Sequence, residues 1–562
     1  MERRVILAIT VMLGILILPS ILWPPKKQAN RLSGGLADSG YAVREPSSTS
    51  PNAPAPTATA PSAQPPNRPS AETVWVSSPS YRYGFSTNGG TLVAAELLDY
   101  QSFAKGDSSR RVQLIPQGSA ALAHVLTNGN QSLSLADIRL TPSARSLRVG
   151  ESGATLSFSG SVNGEPVSLD YRFTPDAYLF TVNGRVGGLE GSGAVLRLGL
   201  GDGLRSVEAD SVDNFRNYAL VTKATKTEKK SFASLKQGDS AVINGPFEWV
   251  GIKSKYFFLA ATAFEEGDPP FGGAVMTGLS WTPAETKSLF GSRTSLIGTR
   301  AAVTVTLPVP PSGQFHYSVY AGPLEYKRLA RLGHDLDDAN PYGGFLRGLI
   351  QPVSVFVVNV LLWMHNNLHL AYGWVLILFG VLIRLLLWPL NQRAMASQLR
   401  MQAAQPLLQE VQNKYKNEPQ KLQQEMMRLY KEYKINPVGG CLPMLLPMPV
   451  LFALFFVFGN TIEFRGVPFL WLPDLSRADP IFILPLLLGL SMYFLSKVGQ
   501  KGLPPNPQAK TMLYVMPVMM TFIFLRLASG LNLYYSIQNL ISVPQQYWLA
   551  QKRLREQGKP AK

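Results

Sequence analysis

Cysteine and histidine are scarce in this chain of 562 residues, which contains one cysteine and five histidines. The single cysteine, Cys441, excludes an intramolecular disulfide and any zinc or iron–sulfur site built from several cysteines. His365 and His369 stand four residues apart, but the residues between them lack the glutamate of a metalloprotease motif and no third ligand is evident. We therefore expect no metal site. The sequence also contains no phosphate-binding P-loop and no credible nucleophile–base pair in a span, so we expect no cofactor and no enzymatic activity.

Negative charge is also scarce. The chain has 36 acidic residues against 53 Lys and Arg, a net charge of +17, and only 16% of its residues are charged. The mean hydropathy is +0.05, and the apolar residues are concentrated at the N-terminus and after residue 345. This distribution indicates a membrane protein with a large soluble insert.

The first apolar run covers residues 5–23 and follows Arg3 and Arg4. Basic residues before a run of this length are typical of a helix that begins in the cytosol. A cleaved signal peptide has a similar pattern, but no small-residue cleavage site follows the run. We therefore predict an uncleaved signal-anchor helix over residues 1–27. Residues 28–72 are rich in Pro, Ser and Ala, which predicts a disordered linker.

Residues 73–335 consist of short runs in which apolar and polar side chains alternate, separated by glycines. This period of two predicts β-strands, and together they predict a large antiparallel β-sandwich. Asn163-Gly164 lies between two such runs and predicts a tight hairpin turn. Asn183-Gly184 is a second candidate for a hairpin turn.

Residues 336–562 are predicted to form a membrane-embedded helical bundle. Five apolar runs can span a bilayer, at about 372–390, 441–459, 481–496, 512–527 and 531–550. Residues 345–363 are also apolar, but if they crossed the membrane, the strongly basic segment 391–435 would lie outside the cytosol. The positive-inside rule rejects that topology. We predict instead an interfacial helix at 345–363, six transmembrane helices in all and both termini in the cytosol.

Residues 391–435 are predicted to form a cytosolic helical hairpin. Asn417 and Pro419 supply a break and a new helix start, and Pro406 is expected to kink the first arm. The second arm presents one apolar face, made of Leu422, Met426, Leu429 and Tyr433.

Arg384 lies inside an otherwise apolar span, six residues before Leu390. At the helical rise this places it about 9 Å from the cytosolic end of the span. An arginine at the centre of a span costs roughly 2.5–3.5 kcal/mol on insertion scales. Its side chain could reach the interface by snorkelling. However, no acidic residue lies in any predicted span to pair with it, which favours a water-filled cavity.

Several short motifs stand in a characteristic order. In the C-terminal half they are Arg384 with Trp388-Pro389-Leu390, then Asn436-Pro437, Gly439-Gly440-Cys441 and Pro443, then Met448-Pro449, then Ser529-Gly530-Leu531 with Tyr534-Tyr535 and Asn539. In the N-terminal half they are Phe85-Ser86-Thr87-Asn88-Gly89-Gly90 and Tyr320 with Gly322-Pro323. This series resembles the YidC-type membrane protein insertases of the YidC/Oxa/Alb family, in the Gram-negative form with a large periplasmic domain.

The resemblance implies a five-helix insertase core that encloses a hydrophilic groove, open to the cytosol and lipid and closed toward the outside. Arg384 matches the arginine of the family's groove, and Tyr535 matches a groove-facing aromatic residue. Gly380 stands where other members carry a polar residue. Met448 and Pro449 belong to an adaptable apolar surface along which a client would slide into lipid.

The function implied by the resemblance is the insertion and folding of nascent inner-membrane proteins, alone or with the Sec translocon. The implied partners are nascent membrane proteins, the lipid bilayer, the ribosome and the signal recognition pathway, with no DNA. The implied location is the bacterial inner membrane, with the β-domain in the periplasm. A secondary transporter that binds an anionic substrate at Arg384 is the alternative, although no second arginine-bearing span suggests an internal repeat.

Overall fold

The structure is a computed structural model that describes residues 71–562, except for 108–109, 130, 176–177, 189–192, 266, 289–290, 311, 341, 344–345, 404, 433–447, 502–506 and 558–562. The predicted anchor helix, nearly all of the predicted linker, Cys441 and Tyr433 lie outside the described residues.

The N-terminal half of the described chain is built of twenty strands. They are β1 Thr73–Ser77, β2 Tyr81–Ser86, β3 Leu92–Gln101, β4 Arg111–Gln113, β5 Ala123–Asn128, β6 Gln131–Ser134, β7 Thr141–Pro142, β8 Ser146–Arg148, β9 Ala154–Val162, β10 Glu165–Phe173, β11 Leu179–Val186, β12 Val195–Gly201, β13 Ala219–Lys223, β14 Thr227–Ser231, β15 Ser240–Phe247, β16 Trp249–Lys253, β17 Phe257–Thr262, β18 Phe271–Ser288, β19 Gly291–Pro308 and β20 Gln314–Pro323.

These strands form three sheets, with the orders β4-β3-β2-β1-β8, β14-β13-β16-β17-β20-β11-β10-β9-β7 and β15-β18-β19-β12-β5-β6. Neighbouring strands are antiparallel, as the alternating pattern predicts, except that β1 runs parallel to β8. Because β17 and β20 are central in the largest sheet, their side chains are buried on both faces.

One of the two predicted hairpin turns is confirmed and the other is wrong. Asn163 and Gly164 join β9 to β10, with φ angles of 51° and 89° that match the tight turn typical of this pair. Asn183 and Gly184 lie inside β11 and pair with β20. A Cβ at position 184 would lie 2.0 Å from Cζ of Phe315, so this glycine makes room for a ring on the neighbouring strand.

The core of the β-domain is rich in tyrosine and phenylalanine. Tyr81 and Tyr83 stack with ring centroids 4.2 Å apart, and the Tyr83 hydroxyl donates to the carbonyl oxygen of Ala321 at 2.6 Å. The ring of His124 is fully buried and bonds through Nε2 to the Tyr317 hydroxyl at 2.6 Å. Burial lowers the pKa of His124 to about 3, because a buried imidazolium loses its hydration.

The described helices are α1 Ser211–Arg216, α2 Tyr326–Leu332, α3 Arg347–Leu368, α4 Tyr372–Ala403, α5 Gln405–Lys414, α6 Pro419–Glu432, α7 Met448–Asn460, α8 Ile483–Gly499, α9 Pro507–Phe524 and α10 Ser529–Gln557. Among the described residues, α3 and the Tyr372–Pro389 part of α4 are long and apolar enough to cross a bilayer. Three shorter apolar helices are Met448–Asn460, Ile483–Gly499 and Leu513–Phe524.

The helices pack closely around α10, which contacts α4, α7 and α8. A small residue allows α8 to approach α9, because a Cβ at Gly489 would lie 2.0 Å from the Thr521 hydroxyl oxygen. Apolar side chains also cover the outside of the bundle, and Leu386 on α4 is 70% exposed. An exposed apolar surface of this kind suits contact with lipid.

The helices at the start of the predicted cytosolic hairpin have different bounds from those expected. Helix α4 continues through Pro389 to Ala403, well beyond the predicted end of the span. Pro406 is the second residue of α5, and residue 404 between α4 and α5 lies outside the described residues, so the expected kink stays a prediction. On α6, Leu422, Met426 and Leu429 are all half-buried.

Candidate functional site

The side chain of Arg384 is directed from α4 toward α10. Its NH2 group donates a hydrogen bond to Oε1 of Gln545 at 2.5 Å. Gln545 is 2% exposed, whereas Arg384 is half-buried. This hydrogen bond pairs the guanidinium with a neutral amide, and none of the ion pairs among the described residues involves Arg384.

A second polar contact joins the same two helices one turn earlier. The Gln538 amide donates to the carbonyl oxygen of Gly380 at 2.7 Å and to the Tyr534 hydroxyl at 3.1 Å. The Ser542 hydroxyl donates to the carbonyl oxygen of Gln538 at 2.5 Å. Because residues three and four apart share one face of a helix, Gln538, Ser542 and Gln545 form a polar stripe along α10.

Two polar atoms of this contact are buried and have no hydrogen-bond partner among the described residues. They are Nε of Arg384 and Nε2 of Gln545. A buried polar atom without a partner is costly in an apolar environment. The contact between α4 and α10 therefore leaves two N–H donor groups available for a further hydrogen bond.

The opposite end of α10 is apolar. The side chains that fill this end of the bundle are Val375, Leu376, Phe379, Phe458, Phe524, Leu531 and Tyr534, all 6% exposed or less. One polar contact lies within this end: the Asn532 amide donates to the Phe524 carbonyl oxygen at 3.1 Å. The Asn539 amide, next to Gln538, donates to the Ser491 hydroxyl at 3.1 Å. The polar stripe is thus closed at one end by a packed apolar plug.

The structure brings Gly380 and Arg384 together with α10, and it places Tyr535 on α10 one helical turn before Gln538. The ring of Tyr535 packs against Phe524 of α9 at 5.7 Å. Its neighbour Tyr534 faces α4, with its ring 6.0 Å from Phe379.

Met448 and Pro449 form the first turn of α7 and are half-buried. Of the four predicted hairpin residues, Leu422, Met426 and Leu429 share one half-buried face. Tyr433, as noted, lies outside the described residues.

Sequence reasoning missed Gln538, Ser542 and Gln545. Their signal was available, because they recur at intervals of four and three residues in an otherwise apolar helix. As for metal binding, the described residues contain no group of three or more His, Cys, Asp or Glu side chains that could hold an ion.

Taken together, the fold and the site define a protein with several apolar helices, two of which are joined by buried polar contacts, and a large β-sheet domain. Residues 363–557 match the family described as 60Kd inner membrane protein, and residues 73–355 match the family described as YidC periplasmic domain. The chain belongs to the YidC family of membrane protein insertases, which are inner-membrane proteins.

Similar proteins span nearly the whole chain. A membrane protein insertase YidC of Nitratidesulfovibrio vulgaris (strain DP4) is 32% identical over 496 residues, covering 85% of this chain and 86% of its own length. A membrane protein insertase YidC of Anaeromyxobacter dehalogenans (strain 2CP-C) is 31% identical, covering 100% of this chain and 99% of its own length. A crystal structure of an active YidC insertase with its first transmembrane domain resolved is 17% identical, covers 85% and 93%, and has a TM-score of 0.34. The two insertase sequences from Nitratidesulfovibrio and Anaeromyxobacter do not support the transporter alternative.

Proposed function

We propose that this protein inserts nascent membrane proteins into the bacterial inner membrane and helps them fold, without an energy cofactor. The observation that carries the proposal is the polar stripe of α10 with Arg384 beside it, closed at one end by apolar side chains. A groove of this kind lowers the cost of moving a short polar segment part of the way across a bilayer. Hydrophobic transfer of the client's apolar segment, at about 25 cal/mol per Å² buried, drives the remaining movement.

In this proposal Arg384 attracts the polar, often acidic, flank of the client, and Gln545 holds the guanidinium in the groove. Gly380 contributes its carbonyl oxygen to the Gln538 contact and leaves the wall less polar than a hydroxyl or amide would. Tyr535, Met448 and Pro449 supply apolar surface beside the client's path.

The proposed topology has six transmembrane helices. The first is the anchor at residues 1–27, followed by the linker 28–72 and the periplasmic domain 73–335. The insertase core, residues 336–562, comprises interfacial α3 and the five spanning helices α4, α7, α8, α9 and α10. Support comes from charge, because the basic residues of 391–435 and of the C-terminal end then share the cytosolic side.

The proposed role of the hairpin is to receive clients from the cytosol. Support comes from α6, whose apolar face is flanked by charged side chains, with Lys421 paired to Glu418 at 2.7 Å. Such a face suits an amphipathic partner or the apolar segment of a client. The ribosome, the signal recognition pathway and the Sec translocon are the proposed cytosolic and membrane partners.

The test is insertion into proteoliposomes that contain the purified full-length protein. A single-span client with a short acidic tail should insert without ATP, as measured by protection of its tail from added protease. Arg384→Ala should reduce this protection, and the matched control Leu386→Ala, on the lipid-exposed side of the same helix, should not. Uptake of a small anion without client insertion would contradict the proposal and restore the transporter alternative.

A further inference from the structure

The segment 461–482 between α7 and α8, here called the cap segment, reaches into the β-domain through Arg465. Its Nε atom lies 2.8 Å from Oε1 of Glu208, and its side chain is only 3% exposed. Its NH2 group donates to the carbonyl oxygen of Val207 at 3.4 Å. Thus a charged side chain from the helical half of the chain is buried against the β-sheet half.

The guanidinium of Arg465 is also enclosed by aromatic rings. Its Cζ atom lies 4.4 Å from the ring centroid of Phe103, 5.3 Å from that of Phe257 and 6.0 Å from that of Tyr256. Arginine binds such rings through its planar face while its edge donates hydrogen bonds. Phe103, Val207, Glu208, Tyr256 and Phe257 therefore form a socket suited to guanidinium.

The backbone next to Arg465 is shaped for this close approach. Gly466 has a φ angle of 70°, in the left-handed region that favours glycine. A Cβ at this position would lie 2.4 Å from Cζ of Phe103. The socket therefore specifies both the arginine and the glycine that follows it.

The other end of the cap segment holds the start of α10. The backbone N–H of Ser529 donates to the Arg477 carbonyl oxygen at 2.6 Å, and that of Gly530 donates to the Leu475 carbonyl oxygen at 2.9 Å. The Ser529 hydroxyl donates to the carbonyl oxygen of Asp474 at 3.0 Å. First-turn N–H groups of a helix have no partner within the helix, so the cap segment satisfies the end of α10 that meets the apolar plug.

The two ends of the cap segment are tied together. The N–H of Leu475 donates to the carbonyl oxygen of Val467 at 3.0 Å, two residues after Arg465. A continuous series of contacts therefore runs from Glu208 through Arg465 and Leu475 to Gly530. Gly530 belongs to the first turn of α10, the same helix that bears Gln538 and Gln545 of the polar stripe.

We infer that Arg465 is a positioning residue through which the β-domain holds the cap segment on α10 and keeps the outer end of the groove closed. This inference rests on the proposed function, because it concerns the closed end of the proposed groove. Removing one partner of a buried ion pair leaves the other charge buried and unpaired. Loss of Arg465 should therefore loosen the cap segment from the β-domain.

The test is the reactivity of a cysteine in the apolar plug. Leu531→Cys, in a Cys441→Ser background, places a thiol at a position that is 1% exposed in the first turn of α10. Right-side-out membrane vesicles are treated with a membrane-impermeant maleimide, and labelling is measured in full-length protein. Arg465→Ala should increase the labelling rate by about five- to thirtyfold, the effect of weakening a local closure by one or two hydrogen bonds.

The matched control is Arg477→Ala, since the Arg477 side chain is exposed on the same segment. It should leave labelling unchanged. Arg465→Lys should give a smaller increase than Arg465→Ala, because lysine keeps the charge but lacks the planar fork. Glu208→Gln tests the same socket from the β-domain side if Arg465→Ala does not accumulate, and it should also increase labelling.

Unchanged labelling in membrane-inserted Arg465→Ala or Glu208→Gln would overturn the inference, and so would an equal increase in Arg477→Ala. The measurement requires no client. A failure of the proposed insertion activity would therefore be seen separately, as a loss of protected client with labelling unaffected.

Discussion

Arg384 on α4 and Gln545 on α10 are joined by a hydrogen bond of 2.5 Å, although 161 positions separate them in the sequence. The bond sets the depth and direction of the one arginine in the apolar part of α4. It also gives the buried amide oxygen of Gln545 a hydrogen-bond donor.

Replacing Arg384 with alanine should reduce insertion of clients with acidic tails about tenfold, the effect of losing roughly 1.4 kcal/mol of charge attraction. Arg384→Lys should retain much of the activity, because the lysine ammonium is also a cation at that depth and supplies most of the attraction. Protease protection of the client tail in proteoliposomes measures both. If Arg384→Ala kept full activity on such clients, Arg384 would have no role in insertion, and its side chain would only reach the membrane interface by snorkelling.

Gly380 should tolerate a small polar side chain. A Cβ at this position would meet Ile537 and Tyr534 at 3.6 Å, which is ordinary contact distance. Gly380→Ser should therefore change the free energy of unfolding by less than about 0.5 kcal/mol. Thermal unfolding in detergent measures this change.

The matched control for Gly380 is Gly530→Ala. Here a Cβ would lie 2.4 Å from Cε1 of Phe458, and such overpacking costs about 1–3 kcal/mol. Equal effects of the two substitutions would show that α10 does not pack as described.

The apolar face of α6 should be required for receiving clients. Replacing Leu422 and Leu429 with serine should lower insertion at least about fivefold, because each half-buried leucine contributes on the order of 1 kcal/mol to an apolar contact. The amount of protein in the membrane should not change. The control is Lys421→Ala, on the exposed side of the same helix. If the double serine variant kept full activity, the hairpin would be only a spacer.

Glu463 in the cap segment should make stability depend on pH. Burial raises the pKa of its carboxyl group to about 7, and the Glu325 carboxylate adds to the rise while Lys327 opposes it. Its Oε2 atom is buried and has no hydrogen-bond partner among the described residues. The unfolded chain releases this proton near pH 4.5, so the native state loses stability as pH rises from about 4.5 through about 7.

The measurement compares Glu463→Gln with the unaltered protein at pH 5.5 and pH 8.5. At pH 8.5 the variant should be more stable, by up to roughly 3 kcal/mol, and at pH 5.5 by about half of that, because the unfolded chain has already released its proton at pH 5.5 while the native carboxyl group still holds it. Any contribution of His124, whose lowered pKa destabilises the native state at acid pH, cancels in this comparison. A constant difference at the two pH values would contradict the prediction.

Much of the architecture follows from local patterns in the sequence. Alternation of apolar and polar residues marks strands because successive side chains of a strand point to opposite faces. Asn163-Gly164 identifies its turn because both residues tolerate positive φ angles. Arg384 is likewise identified from the sequence alone, because its depth follows from the helical rise and its importance from the cost of placing a charge in lipid.

Other features depend on segments that meet only in the folded chain. Gly184 looks like a turn residue, but it makes room for Phe315, more than a hundred residues away. Nothing near Arg465 indicates that a socket of three separate β-domain segments encloses it. Periodicity and turn chemistry report on neighbours along the chain, whereas a partner for a buried charge or a space for a ring is set by packing between distant segments. The sequence by itself therefore determined where strands and helices form and that Arg384 lies within an apolar helix. The tertiary structure alone decided that Gln545 binds Arg384 and that the β-domain binds Arg465.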